Sequence, residues 1–378
     1  MFRPKIQDTK ILMIMAFIAI LSVMWVSKSF EYIQSDDIVD KKDAVSIMSE
    51  YLKAIKKMPG NIISEDDLYK TGLIGVDSSL ITTIFENNDK SFLKSKISCT
   101  HPNFAALIVH LFKEAELVSG DTVAVSMTGS LPGANLAFLA ACDAMNIFPV
   151  ILSSVGSSAW GANRENLTWL DMESILFNKG LINSRSVAAS VGGRNDMGRL
   201  LSPAGREIII SNIENYNIPL IRKNRLAENI DERMKLFESF NKITNYSAMI
   251  NVGGGVASLG TSFNSKLLPA GIVNRSDVVN ISIRDGGIEG VLAKFAKKNV
   301  PVLHVLNIKS LTEKLGMPFA PIPIPEVGSG VLYAEEKYNI LIATVCLFIV
   351  CGLVFGVGYQ SKQKIKEHLI DHEPDSLL

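Results

Sequence analysis

Two stretches of this chain, Ile11 to Val26 and Asn339 to Tyr359, are almost unbroken runs of apolar side chains, while the sequence between them reads like a water-soluble α/β protein. A helix needs about 20 mostly apolar residues, with about 17 as a lower limit, to cross the hydrocarbon core of a bilayer. The second run, with Leu341, Ile342, Val345, Leu347, Phe348, Ile349 and Val350, meets that length and predicts a transmembrane helix over 338–359. The first, bounded by Lys10 and Lys28, lies near the minimum, so a cleaved signal peptide competes with an uncleaved anchor over 11–28. No small-x-small site follows this run, which ends in bulky Met24-Trp25-Val26, and that favours the anchor.

Between the two runs the apolar positions change period repeatedly. Val45, Ile47, Met48, Leu52 and Ile55 recur at helical spacing from Asp43 to Met58, and Pro59-Gly60 stops them. From about residue 100 onward helical and strand-like patterns alternate. Helices are predicted over 103–117, 134–145, 168–179, 203–216, 226–242 and 289–298, and strands over 122–126, 149–153, 186–190, 218–221, 248–252 and 302–306. Ser202 followed by Pro203 opens one of those helices, with serine at the cap and proline at the first helical position. Such alternation is the signature of a parallel sheet covered by helices. The expected fold is therefore a doubly wound, Rossmann-like α/β domain with a mostly parallel sheet, set between two terminal transmembrane helices. The stretch 318–330, with Pro318, Pro321, Pro323 and Pro325 and then Gly328-Ser329-Gly330, favours an extended conformation and reads as a stiff spacer.

Charge sets the orientation. Arg3, Lys5 and Lys10 precede the first run and Lys362, Lys364 and Lys366 follow the second, whereas the inner flanks mix lysines with acidic residues such as Asp36, Asp37, Glu335 and Glu336. Because cytoplasmic flanks are enriched in Lys and Arg, residues 1–10 and the 360–378 tail are expected in the cytoplasm, with 29–336 outside the cell (inner) membrane; the inverted topology, with the domain in the cytoplasm, is the alternative. The 38 basic and 38 acidic residues balance, which gives no global field to attract nucleic acid. Of the four cysteines, Cys346 and Cys351 fall in the second run, leaving Cys99 and Cys142 either to form a disulfide or to remain two buried thiols. No Cys or His spacing suggests zinc or another metal site.

Chemistry is expected at the carboxyl ends of the strands, where open parallel sheets bind their ligands. Four predicted strand ends carry small or polar residues. They are Thr128-Gly129-Ser130 with Gly133, Ser153-Ser154, Gly192-Gly193-Arg194 with Asp196, and Gly253-Gly254-Gly255. Glycine lets backbone approach a ligand, and free amides at a helix start favour anionic groups. Any one such loop is an ordinary βα turn; four on one edge point to an anion-accepting crevice. Trp160, Arg164 and Arg194 sit in loops as further ligand candidates, since arginine can clamp a carboxylate at two points. The dinucleotide fingerprint, the Walker loop and a Gly-x-Ser-x-Gly elbow are all absent. No cofactor is indicated, and Asp171 is explained by its place at a helix start.

The segments Asn103 to Leu107, Gly120 to Val125, Ser153 to Gly156 with Trp160 to Asn163, Thr168 to Glu173, and Asn251 to Gly255 together resemble the bacterial poly-gamma-glutamate system protein family of the PgsW type. The likeness covers most of the chain, including both apolar runs. Two local departures stand out: Ser98-Cys99-Thr100-His101 replaces a basic step, and Leu131 follows Ser130 where the family often has an aromatic residue. The resemblance implies a membrane accessory protein that associates with poly-gamma-glutamate synthesis or export proteins of the cell envelope and capsule. It assigns no catalytic residues. Two other readings stand beside it, a hydrolase or transferase acting on the polymer through Ser130 or Asp171, and a scaffold that gathers membrane partners.

Overall fold

The computed structural model describes residues 8–85, 90–240, 245–283 and 288–371. Expectations for Arg3, Lys5 and the end of the long helix beyond residue 240 fall outside those residues. The chain forms two units, Met1–Gln34 with Ala334–Leu378, and Ser35–Tyr333.

The first unit holds both apolar runs. Thr9–Ser27 is a helix, capped by the Asp8 carboxylate accepting from the Lys10 amide at 2.9 Å. Ile340–Asp371 is a second, longer helix, whose start is held by Asn339 Oδ1 accepting from the Leu341 and Ile342 amides. Between them, strands Phe30–Gln34 and Ala334–Tyr338 pair antiparallel. Phe17, Ile20, Val23, Leu347, Phe348 and Phe355 are all exposed. A helix with an apolar surface on all sides is not made to face water. Both helices are long and apolar enough to cross a membrane.

The second unit is mixed α/β, built on a seven-stranded sheet. Its strands are β1 (Thr122–Thr128), β2 (Phe148–Ser154), β3 (Ser186–Ser190), β4 (Leu220–Ile221), β5 (Ala248–Val252), β6 (Gly271–Val273) and β7 (Val302–Val305). They lie in the order β6-β7-β5-β1-β2-β3-β4, parallel throughout except for β6. Alternate residues face opposite sides. Val123, Val125, Ile151, Ile250 and Leu303 face helices Ile38–Lys56, Asn103–Glu114, Pro132–Met145, Trp169–Asn178 and Pro203–Asn215. Ala124, Leu152, Ala188, Met249 and Val302 face Leu226–Phe240 and Val291–Lys297. The strand order runs outward from β1 through β2 to β4 and then resumes on the other side at β5, so the crevice between β1 and β5 is where the winding reverses.

The proline-rich stretch is a strap laid along this body. Tyr69 Oη donates to the Pro321 carbonyl at 3.0 Å, and the Asn103 amide donates to the carbonyls of Glu326 and Ser329. Cys99 and Cys142 are buried free thiols, and burial pushes both thiol pKa values up.

Candidate functional site

The four glycine and serine turns leave strands β1, β2, β3 and β5, which are parallel neighbours, so all four open on one edge of the sheet. They are linked to one another there. Gly129 N–H donates to the Ser154 carbonyl at 2.9 Å, and Ala162 N–H donates to the Gly129 carbonyl at 2.8 Å. Thr128 Oγ1 donates to the Val252 carbonyl at 3.4 Å. Gly253 must be glycine: its φ is +100°, and a Cβ there would stand 2.1 Å from Thr128 Oγ1.

Half of this edge is filled by an ion pair. Asp196 accepts from Ser190 Oγ at 2.6 Å and Ser154 Oγ at 3.1 Å through one oxygen, and from Arg233 Nε and Nη2 at 3.1 and 2.9 Å through the other. Arg233 Nη2 also donates to both serine hydroxyls, at 2.9 and 2.7 Å. All four side chains are buried. Asn195 and Asp196 both take left-handed backbone, with φ of +59° and +61°. The cluster holds that unfavourable turn in place. Arg233 was not among the residues expected here. Its sign in the sequence is a charge on the buried stripe of a helix, between Ile230 and Phe237.

The other half lies at the reversal of winding. Ser126 on β1, Asn251 on β5 and His304 on β7 are in register across three neighbouring strands, on the face covered by Leu226–Phe240. Asn251 Nδ2 donates to the Gly253 carbonyl at 2.6 Å and lies 3.0 Å from His304 Nδ1. A carbonyl only accepts, so that nitrogen is the amide NH2 and Nδ1 must be the bare nitrogen, leaving the proton on Nε2. Burial lowers the imidazole pKa to about 4, so His304 is neutral at pH 7. Ser126 Oγ, Asn251 Oδ1 and His304 Nε2 are buried without a hydrogen-bond partner among the described residues. Buried polar atoms are nearly always satisfied, and a row of exceptions calls for a ligand or solvent. Each member is a polar residue inside an apolar strand, a signal visible in the sequence.

The remaining expected residues divide. Arg194 is exposed on this edge with no partner among the described residues, and Gly254 is exposed at the end of β5. Gly192 and Gly193 sit at φ of +79° and +66° in the turn that carries Arg194. Ser130 Oγ accepts from the Ser158 N–H at 3.0 Å, and Gly133 packs its α-carbon against the Cys99 carbonyl, where a Cβ would come within 2.6 Å. Ser153 turns to the opposite face. The pairing of β2 with β3 slips between Ile151 and Leu152, which brings Ser186 Oγ to 2.6 Å from Ser153 Oγ. Glu173 caps that pair, accepting from Ser186 N and Oγ at 2.9 and 3.0 Å, and burial raises its carboxyl pKa to about 7. Arg164 is spent inside the body, donating to Asn61 Oδ1 and the Ile74 carbonyl, and it does not reach the edge cluster. Trp160 has φ of +65° and packs against Ile74, Leu93 and Ile97. Asp171 accepts from the Thr168 amide in a capping box and from Asn212 and Tyr216.

Among the described residues no group of three or more His, Cys, Asp or Glu is gathered for a metal ion. Comparison with protein-family models, with curated proteins and with solved structures finds no match for this chain.

Proposed function

We propose that this chain is a membrane-anchored accessory protein of poly-gamma-glutamate synthesis or export, with both termini in the cytoplasm and the Ser35–Tyr333 body outside the cell membrane, where a Rossmann-like crevice binds an anionic ligand. The machinery and the orientation rest on the sequence resemblance and on the lysines beyond each apolar run. The ligand site rests on one observation: four loops share the carboxyl edge of one mostly parallel sheet, which carries both an exposed Arg194 without a partner among the described residues and a row of buried polar atoms without one. Arg194 suits a side-chain carboxylate. Ser126 and His304 Nε2–H can donate to a carbonyl or carboxylate oxygen, and Asn251 Oδ1 can accept from an N–H. An amide-linked chain of glutamates offers all three groups. The test is equilibrium binding of gamma-glutamate oligomers to the full-length protein in neutral-lipid nanodiscs. Binding that weakens with salt and with Arg194→Ala is expected; no binding at low salt refutes the reading.

Hydrolysis or transfer on the same polymer is favoured by one contact. Lys96 Nζ donates to Ser158 Oγ at 2.7 Å, and the Ser158 amide in turn touches Ser130. A lysine amine beside a serine hydroxyl is an arrangement that can activate a nucleophile. Shortening of the polymer by the purified protein, abolished by Ser158→Ala, would establish this reading; unchanged chain length would remove it.

A further inference from the structure

We propose that a groove between the Ile38–Lys56 helix and the proline-rich strap is a second binding site, a track for one strand of an acidic polymer; this rests on the anionic-ligand reading above and names where the chain itself runs. The groove has a volume of about 240 Å³. Lys53 and Lys56 line it from the helix, and Lys70 from the facing loop. All three lysines are exposed, and none forms an ion pair with a described residue. Two residues three apart on a helix are neighbours on one face, so Lys53 and Lys56 form a short cationic rail. Lys70 is held at φ +52°, a left-handed conformation uncommon for a side chain of this size.

Among the described residues no Asp or Glu lines the groove, although exposed Glu50 lies one turn before Lys53 on the same helix. Asp67 is buried and accepts from Thr71 Oγ1 and from the Gly72 amide at 2.6 Å. His101 adds no charge. Its Nδ1 accepts from the Asn103 amide, Nε2 therefore carries the proton and donates to the Pro325 carbonyl at 3.0 Å, and burial lowers its pKa. The groove is thus cationic through its three lysines.

The groove is also preformed. The strap is fastened through Tyr69, His101 and Asn103, and Gly328 N–H donates back to Asn103 Oδ1 at 2.8 Å. A wall ordered before binding saves the entropy that a loose one would lose. Ile324 and Val327 leave the wall half exposed, and Leu52 lies opposite. A gamma-linked glutamate chain alternates carboxylates with aliphatic methylenes. The first match the lysines and the second match this apolar lining. A nucleic acid would instead want free aromatic faces for its bases, and the groove's one tyrosine is tied to the strap.

The experiment measures binding of a fluorescent gamma-glutamate decamer to the full-length protein in neutral-lipid nanodiscs across a salt series. Lys53→Gln/Lys56→Gln/Lys70→Gln is expected to weaken binding about tenfold and to flatten the salt dependence, while the triple Lys→Arg variant retains it. Wild-type binding that the triple Gln variant leaves intact and Arg194→Ala abolishes overturns the groove and leaves the anionic-ligand reading standing. An oligonucleotide of equal charge that binds as tightly and suffers the same loss overturns the choice of ligand. Absence of wild-type binding overturns both.

Discussion

Glu173→Gln should make this protein more stable, by an amount that grows as pH rises above the ordinary carboxyl pKa of 4.5. Glu173 lies on the buried face of the Trp169–Asn178 helix with a pKa raised from the ordinary 4.5 to about 7, chiefly because burial disfavours its charged form, against the Ser186 hydrogen bonds that favour it. A carboxyl whose pKa is higher folded than unfolded supports the fold fully below the unfolded value. That support is lost as pH rises toward and through the folded value. The gap between 4.5 and about 7 corresponds to about 3 kcal/mol, at about 1.4 kcal/mol per tenfold change in the ionisation equilibrium. Glutamine reproduces the neutral acid: its oxygen can accept from the Ser186 amide and its NH2 can donate to Ser186 Oγ. The variant's advantage should therefore grow from near zero at pH 4 to about 3 kcal/mol at pH 8, on the order of 5–10 °C in Tm. Thermal unfolding of wild type and variant, followed by tryptophan emission with buried Trp169 one turn away, measures the difference at each pH. The difference is what matters, because His304, with its pKa lowered to about 4, contributes the opposite trend over much of the same range and cancels between the two proteins. A pH-independent difference, or a variant destabilised at every pH, would refute the assignment of Glu173 as the titrating group.

Arg233→Met should cost about 3–5 kcal/mol, because it strands the Asp196 carboxylate in the interior with two serine hydroxyls as its remaining partners. Adding Asp196→Asn should recover part of that loss in denaturant titrations, and a single variant within about 1 kcal/mol of wild type would contradict the buried-pair account. Gly253→Ala should destabilise by about 1–3 kcal/mol through its φ of +100° and the overlap with Thr128 Oγ1. In a double-mutant cycle Thr128→Ala should return the overlap portion and leave the backbone portion, and strict additivity would show that the two do not meet.

The fold was legible wherever burial imposed a period. β5 spans the anticipated residues and β1 and β2 extend their expected strands by one or two residues at the ends, because fully buried strands in a parallel sheet read as short apolar runs between turns. Elements without such a pattern escaped. The edge strand β6 is three residues long, and the helix Ser91–Thr100 owes its place to packing of Leu93 and Ile97, with polar residues through most of its length. The Phe30–Gln34 strand was hidden because its partner, Ala334–Tyr338, lies at the far end of the sequence. The site was half legible. Glycine-rich turns announced the edge, since their φ values leave little choice of residue, as at Gly192 and Gly253. Which hydroxyl faced which side depended on one slip in the β2–β3 register, which no periodicity reveals. Arg164 shows the limit of reading a loop arginine as a ligand clamp: in a folded body the nearest acceptors are often the protein's own carbonyls.

The unequal halves of the edge follow from how charge is distributed along it. On the β2–β3 side, Arg233 reaches in from the covering helix and neutralises Asp196, with Nε and Nη2 donating to the carboxylate and to both serine hydroxyls. Two consecutive left-handed residues, Asn195 and Asp196, make that turn costly, and Arg194, which precedes them, is exposed. On the β1–β5 side the unsatisfied row carries no charge. Ser126, Asn251 and His304 are neutral, and the tautomer fixed by Asn251 presents a donor where a charged histidine would impose a field. A neutral, hydrogen-bonding ledge on the sheet edge that also carries the exposed Arg194 would discriminate by geometry more than by charge. On the ligand reading proposed above, it would suit a ligand whose carboxylate stays at the surface while its amide is read inside, and it would hold a lone monocarboxylate poorly. Competition between acetate and a gamma-glutamyl amide for the wild-type protein separates the two: equal displacement by both would mean that Arg194 acts alone and the ledge contributes nothing.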